Sequence, residues 1–288
     1  MRVSSLVPSA VGAAALVVSL GASPALALNA VSYVSGKGSD AGVCATPATA
    51  CRTFAYALTQ TKASGEIKAL DPANYGATFG LVINKPITIT GVPGAGIVMN
   101  STDAAITVSA GQNAVVVLRH LDLNGQTYAA NGITVLSARK IYIDDVAVRN
   151  FAGDGIGLFE NNGLTYATVS NSVVTNNGYF GVRIAPSATL KATIDHVTSN
   201  DNGHSGFLVS SGATAAIVDC IADGNLVDGY RVEGNATSQM ILGRSVATGN
   251  GAGVHNVSVG GSVRSYGDNK IYLNTTDTVG QIVTVPTK

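Results

Sequence analysis

The sequence predicts an all-β protein, a parallel β-helix in which short strands coil into stacked rungs. Three observations predict it. First, one short phrase recurs: a glycine, an apolar residue, any residue, an apolar residue, then polar turn material. Its copies are Asn131–Val135, Asp154–Leu158, Phe180–Ile184, Ser205–Val209, Asp228–Val232 and Ala252–Asn256. Their glycines (Gly132, Gly155, Gly181, Gly206, Gly229, Gly253) lie 23, 26, 25, 23 and 24 residues apart. Second, a further column, Val146, Val173, Val197, Ile221 and Val246, recurs at 27, 24, 24 and 25. Each member is followed four residues on by Asn150, Asn177, Asp201, Asn225 or Asn250. Third, the apolar residues alternate in short runs and never at helical spacing, so the repeating unit is made of strands. Self-similarity at such a period is the mark of a solenoid.

A unit of this length holds three short strands separated by turns. Stacked units pair in parallel about 4.8 Å apart. Asn tolerates left-handed turn conformations, and stacked Asn side chains can hydrogen-bond along a column. The glycine column marks a bend where a side chain would clash.

The glycine-led strand followed by VVTNNG (Val173–Gly178) or VTSNDNG (Val197–Gly203) resembles the right-handed parallel β-helix of the pectin-lyase-like superfamily. The resemblance covers about residues 80–275. It implies a right-handed coil, and in the superfamily's enzymes a substrate groove along one outward strand face. It implies no single activity, because one fold hosts many.

In chain order, residues 1–27 read as a secretory signal peptide, 28–75 as an N-terminal cap with an incoming strand, and 76–288 as the β-helix. Arg2 supplies the positive start, Val11–Leu20 the apolar core, and Ala25-Leu26-Ala27 the small-residue cleavage site. The apolar run is short and broken by Ser, Gly and Pro, unlike a membrane anchor, and no later stretch is long enough to span. The mature chain is therefore expected to be secreted, periplasmic or at the cell surface, with no membrane span.

From Tyr33 to Leu58 the chain resembles the N-terminal segment of exported bacterial β-helix proteins: a strand, a Gly/Asp loop and a short capping helix. Thr53 is placed to N-cap Phe54–Leu58, with Phe54 and Leu58 on one face. A solenoid end exposes apolar cross-section and unpaired strand edges, so it needs a cap. Cys44 and Cys51 flank a short loop, and export favours a disulfide between them. The alternative, a metal pair, lacks a nearby third ligand. Cys220, in VDCIADGN (Val218–Asn225), reads as a buried or half-buried free thiol.

Strands are expected in Gly65–Tyr75, Ile87–Gly91, Gly96–Asn100, Ala105–Ala110 and Ala114–Gly125. After His255 the pattern decays, with further strands in Val257–Val263, Lys270–Asn274 and Val279–Val285. Charged residues are 12% of the chain, 17 basic against 17 acidic, which argues against nucleic acid or a membrane surface as partner.

Alternation sorts the repeat into two sides. Ile133, Ile156, Val182, Phe207, Tyr230 and Val254 point inward, as do Val135, Leu158, Ile184, Val209, Val232 and Asn256. Thr134, Gly157, Arg183, Leu208, Arg231 and His255 then point outward, with Leu136, Phe159, Ala185, Ser210, Glu233 and Val257 beyond them. The candidate catalytic residues are therefore Arg183, Arg231, Glu233 and His255. A cation, a carboxylate and an imidazole on one face could bind an acidic sugar and move a proton. The plainer reading is an exposed Arg231–Glu233 ion pair on a partly apolar surface.

Pectate lyases of this fold use acidic calcium ligands and an Arg base. TIDHVTS (Thr193–Ser199) resembles one of their strands but lacks its flanking Arg-rich segment. Polygalacturonase motifs have partial counterparts in Asp144-Asp145, Gly203-His204-Ser205 and Arg183-Ile184-Ala185, in the wrong order. Asp144, Ser170, Asp195 and Asp219 recur as a polar turn column. Calcium, which takes oxygen ligands, is the one cofactor considered, with Asp144, Asp195 and Asp219 as candidate ligands. His120, amid an apolar strand, reads as structural, and the Asn-Gly and Asp-Gly pairs, Asp154 and Asp228 included, as turns.

Two functions follow. One is an exported surface or glycan- and matrix-binding module with no intact catalytic set and a polysaccharide or cell-surface partner. The other is a lyase or glycoside hydrolase acting on an acidic glycan near Arg231, Glu233 and His255.

Overall fold

Parallel pairing dominates the computed structural model, which describes residue 1 and residues 28–159, 166–187, 190–234, 236–257 and 261–286. The expected signal peptide lies outside the described residues, apart from Met1. The chain winds as an all-β parallel solenoid of about eight turns. Each central rung contributes a strand to each of three ladders, as a three-strand unit requires. The rung of Lys191–Asp195, Thr198–Asn200 and Phe207–Val209 shows the pattern. The third ladder is a separate sheet of nine strands among the described residues, running from Leu81–Ile83 to Thr276–Val279.

Two corners separate the ladders, and both need left-handed backbone. His120, Asp145, Asn171, His196, Asp219 and Arg244 occupy the first, with φ between 49° and 56°. Asn150, Asn176, Asp201, Gly224 and Gly249 occupy the second, with φ between 53° and 67°. Asn, Asp and Gly are the residues that adopt this conformation at low cost.

The second corner divides two tasks that the sequence reading gave to one column. The left-handed residue comes first, and a buried Asn follows it. Asn177, Asn202, Asn225, Asn250 and Asn274 form a ladder in which each amide donates to the next carbonyl oxygen, at 3.0, 3.0, 3.0 and 2.9 Å. Asn150 and Asp201 belong to the left-handed column instead. The valine column slips the same way. Val173 pairs with Ala147 and Thr198, so Val146 and Val197 lie one residue out of register and point inward. A one-residue slip moves a side chain to the other face.

The core is the tube interior. All the expected inward residues are buried except Asn256, which is half-buried at the last regular rung. The glycine column permits close stacking rather than left-handed backbone. A Cβ on Gly206 would lie 2.8 Å from Asn225 Nδ2 and 2.9 Å from the Gly229 carbonyl oxygen.

The N-terminal end is closed as expected. The cap helix Phe54–Gln60 begins at Thr53, whose hydroxyl accepts from the Tyr56 amide at 3.2 Å. Phe54, Ala57 and Leu58 bury against the first rung. Cys44 and Cys51 form the disulfide, with Cα atoms 5.2 Å apart, and both are fully buried. Cys220 is a buried free thiol whose pKa burial pushes up to about 12, which leaves it protonated and unreactive. Among the described residues no helix is long and apolar enough to cross a membrane.

Candidate functional site

The outer face of the nine-stranded sheet carries the candidate residues because its register stacks them. Arg183, Leu208, Arg231 and His255 pair in turn on consecutive rungs. Each falls three residues after the residue that precedes a repeat glycine. That preceding position is Phe180, Ser205 or Asp228 on three of these rungs, and Asp154 one rung earlier. Both positions leave the core, so Asp228 reaches Arg231 within one strand, while Asp154 reaches Arg183 on the next rung.

Asp228 is the centre. Its side chain is only 2% exposed. One oxygen lies 2.8 Å from Arg231 Nη1 and also accepts the Ser205 hydroxyl at 3.3 Å. The other oxygen lies 3.1 Å from His255 Nδ1. Arg231 Nε in turn donates to Glu233 at 2.8 Å. Burial lowers the Arg231 pKa, but the bonds to Asp228 and Glu233 outweigh it and hold the group charged. The expected exposed ion pair is therefore corrected: Arg231 is 17% exposed and gripped from both sides. His255 stands in register with Arg231 on the next rung.

Arg183 stands apart from this group. It faces Asp154 at 3.6 Å and lies over the rings of Phe159 and Phe180 at 5.2 and 5.4 Å. Burial raises the pKa of Asp154, opposed by the Phe180 amide and Arg183. Leu208, expected outward on the surface, is fully buried. The register puts an arginine on each side of it, and long aliphatic stems commonly cover such a residue.

Aromatic rings bridge the two groups. Tyr179, Phe180 and His204 pack edge-on or tilted at 4.4 to 4.9 Å. His204 Nδ1 lies 3.0 Å from the Ser205 hydroxyl, which joins the cluster to Asp228. Burial, then the charge of Arg231, lowers the His204 pKa and keeps the ring neutral near pH 7. The contacts therefore run unbroken from Tyr179 to Glu233.

Sequence reasoning found Arg183, Arg231, Glu233 and His255 on one face but missed Asp154, Asp228, His204 and Tyr179. In the sequence, Asp154 and Asp228 read as members of Asp-Gly turns. The usable signal was spacing: Asp228-Gly-Tyr-Arg231 puts a carboxylate and a guanidinium on the same side.

The other acidic candidates lie on the first corner. Asp144 accepts from Ser170 and Asn171 at 2.7 and 2.8 Å, the Ser170 bond first among the causes that lower its pKa. Asp195 shares its column, while Asp219 is one residue further on, beside His196. Asp195, His196 and Asp219 offer donor atoms within 4.8 Å of one another. Both Asp219 oxygens, however, accept from Arg244, at 2.9 and 2.7 Å, and Asp195 bonds His196 at 2.9 Å. An arginine on one carboxylate and an imidazole on the other make a poor fit to calcium, which prefers oxygen ligands. His120 stands at the corner within its strand, 43% exposed and bonded to Asp145 at 2.7 Å.

The family described as right handed beta helix region matches residues 95–276. No curated protein sequence matches this one significantly. Among solved structures, pectate lyase Pel9A is similar over 89% of this chain and 77% of its own, at 15% identity and a TM-score of 0.58. Full-length tailspike protein 2 from Escherichia coli O157:H7 bacteriophage CAB120 is similar over 81% of this chain, at 15% identity and a TM-score of 0.52. This chain spans about a third of the tailspike, 34% of its length. Likeness at such identity concerns the fold alone.

Proposed function

This chain belongs to the right-handed β-helix family, and from that premise we propose that it is an exported, non-catalytic module that binds glycan with the outer face of its nine-stranded sheet. One observation carries the reading. The charged side chains at the centre of this face pair with one another. Arg231 is held between Asp228 and Glu233, and His255 rests on Asp228. Two carboxylates offset the charge of Arg231, which makes it a weak anchor for an acidic sugar, while its N–H groups outside these two bonds can still donate to hydroxyls. A closed network supplies instead a rigid surface of fixed donors and acceptors, flanked by an aromatic ring, which suits sugar hydroxyls and a sugar's apolar face.

The buried disulfide agrees with an exported protein. A glycan array probed with the purified chain tests the reading. Retention on saccharide spots is expected, with no new reducing or unsaturated ends after incubation with uronate polymers, with or without calcium. An array that retains nothing contradicts the proposal and points to a protein partner.

A further inference from the structure

Building on that reading, we infer that the face selects neutral glycans and rejects uronates and sulfated polymers. The charge inventory carries this. Between Asp154 and His255 the described residues of the face hold two guanidinium groups, Arg183 and Arg231, against three carboxylates, Asp154, Asp228 and Glu233. Each guanidinium already faces a carboxylate, and Arg231 faces two. An incoming uronate would meet Glu233, which is 36% exposed, and only guanidinium groups whose charge a carboxylate already offsets. Like charges in contact oppose binding, and displacing Glu233 or Asp228 from Arg231 would strand a charge.

A neutral sugar meets no such penalty. Vicinal hydroxyls can donate to the remaining lone pairs of Glu233 and accept from guanidinium N–H groups without exchanging any ion pair. The exposed partner for its apolar face is Tyr179, 44% exposed and braced by Phe180 and His204 at 4.4 and 4.9 Å. A ring held on two sides loses little freedom when a sugar stacks on it, and such aromatics dominate binding surfaces. Leu208, fully buried on the rung between the two arginines, makes the middle of the face apolar, where hydrogen bonds count for more.

Affinity electrophoresis or titration with two panels tests the assignment: xylan, mannan and a neutral β-glucan against polygalacturonate, alginate and a sulfated galactan. At least one neutral polymer is expected to bind, with affinity changing less than about twofold between about 50 and 500 mM salt, because no ion pair with the ligand forms. Tyr179→Ala should weaken it about tenfold and Tyr179→Phe hardly at all, as loss of one stacked ring predicts. Binding of acidic polymers alone overturns the neutral assignment and leaves glycan binding standing. Binding of neither panel overturns both. Neutral binding that survives Tyr179→Ala, in a chain with unchanged circular dichroism, overturns the placement on this face.

Discussion

Asp228 and His255 sit on adjacent rungs, and their side chains meet at 3.1 Å across the parallel ladder. The aspartate is 2% exposed, so its charge depends on its partners for compensation. Asp228→Asn is expected to cost about 3–5 kcal/mol, the range for removing one member of a buried ion pair. Urea unfolding at pH 7 measures it. Glu233→Gln, at the exposed rim of the same network, should cost less than about 1 kcal/mol. Equal costs for the two variants would contradict the central place given to Asp228.

The rung spacing depends on the glycine column. A Cβ on Gly181 would lie 1.9 Å from Ser199 Oγ and 2.7 Å from the Gly206 carbonyl oxygen. Gly181→Ala should destabilise by about 3 kcal/mol or more through overpacking. Gly42, with nothing within 4 Å of the same added atom, is the control. Gly42→Ala is expected to stay within about 0.5 kcal/mol, read as the shift in urea midpoint.

Acid should loosen the N-terminal cap. Asp71 accepts from the Ser35 hydroxyl, the Tyr75 hydroxyl and the Gly36 amide, and these bonds hold its pKa below the usual carboxylate value. A carboxyl whose folded pKa is depressed contributes stability that is fully present above the unfolded pKa of about 3.9 and is lost as pH falls through the folded pKa. Hydrogen exchange at Ser35 and Gly36 should therefore accelerate below about pH 4. Asp71→Asn should exchange faster at pH 7 and lose most of that pH dependence. A mutant with the wild-type acid profile would assign the effect elsewhere.

The Cys44–Cys51 disulfide closes a loop of sequence separation 7. Chain entropy alone gives it about 2.5 kcal/mol. Replacing both cysteines by serine should raise exchange through the cap helix Phe54–Gln60 while leaving the central rungs protected, as expected of a quasi-one-dimensional fold. Uniform loss of protection along the solenoid would show that cap and rungs unfold as one unit.

Much of this architecture is legible in the residues, because a solenoid writes its period into them. Glycine spacing, inward alternation, the Thr53 cap and the Cys44–Cys51 pair all follow from local chemistry. Rung lengths vary by a few residues, and that variation hid which Asn turns the corner and which joins the ladder. Asn176 and Asn177 are chemically identical, yet one adopts φ of 53° and the other bonds Asn202. The site was half legible for a related reason. Alternation predicts that Arg231 and His255 face outward. It cannot show that Asp228, in an Asp-Gly pair typical of turns, folds beneath both of them. Burial of Leu208 depends likewise on neighbours from two other rungs.

The central claim is that this face holds saccharide without changing it. Mass spectrometry of an oligosaccharide recovered after prolonged incubation with the purified chain, with and without calcium, tests that most directly. Recovery of the oligosaccharide at its original mass, together with demonstrable retention during incubation, is predicted. Shortened products, or products lighter by one water as β-elimination gives, would contradict it.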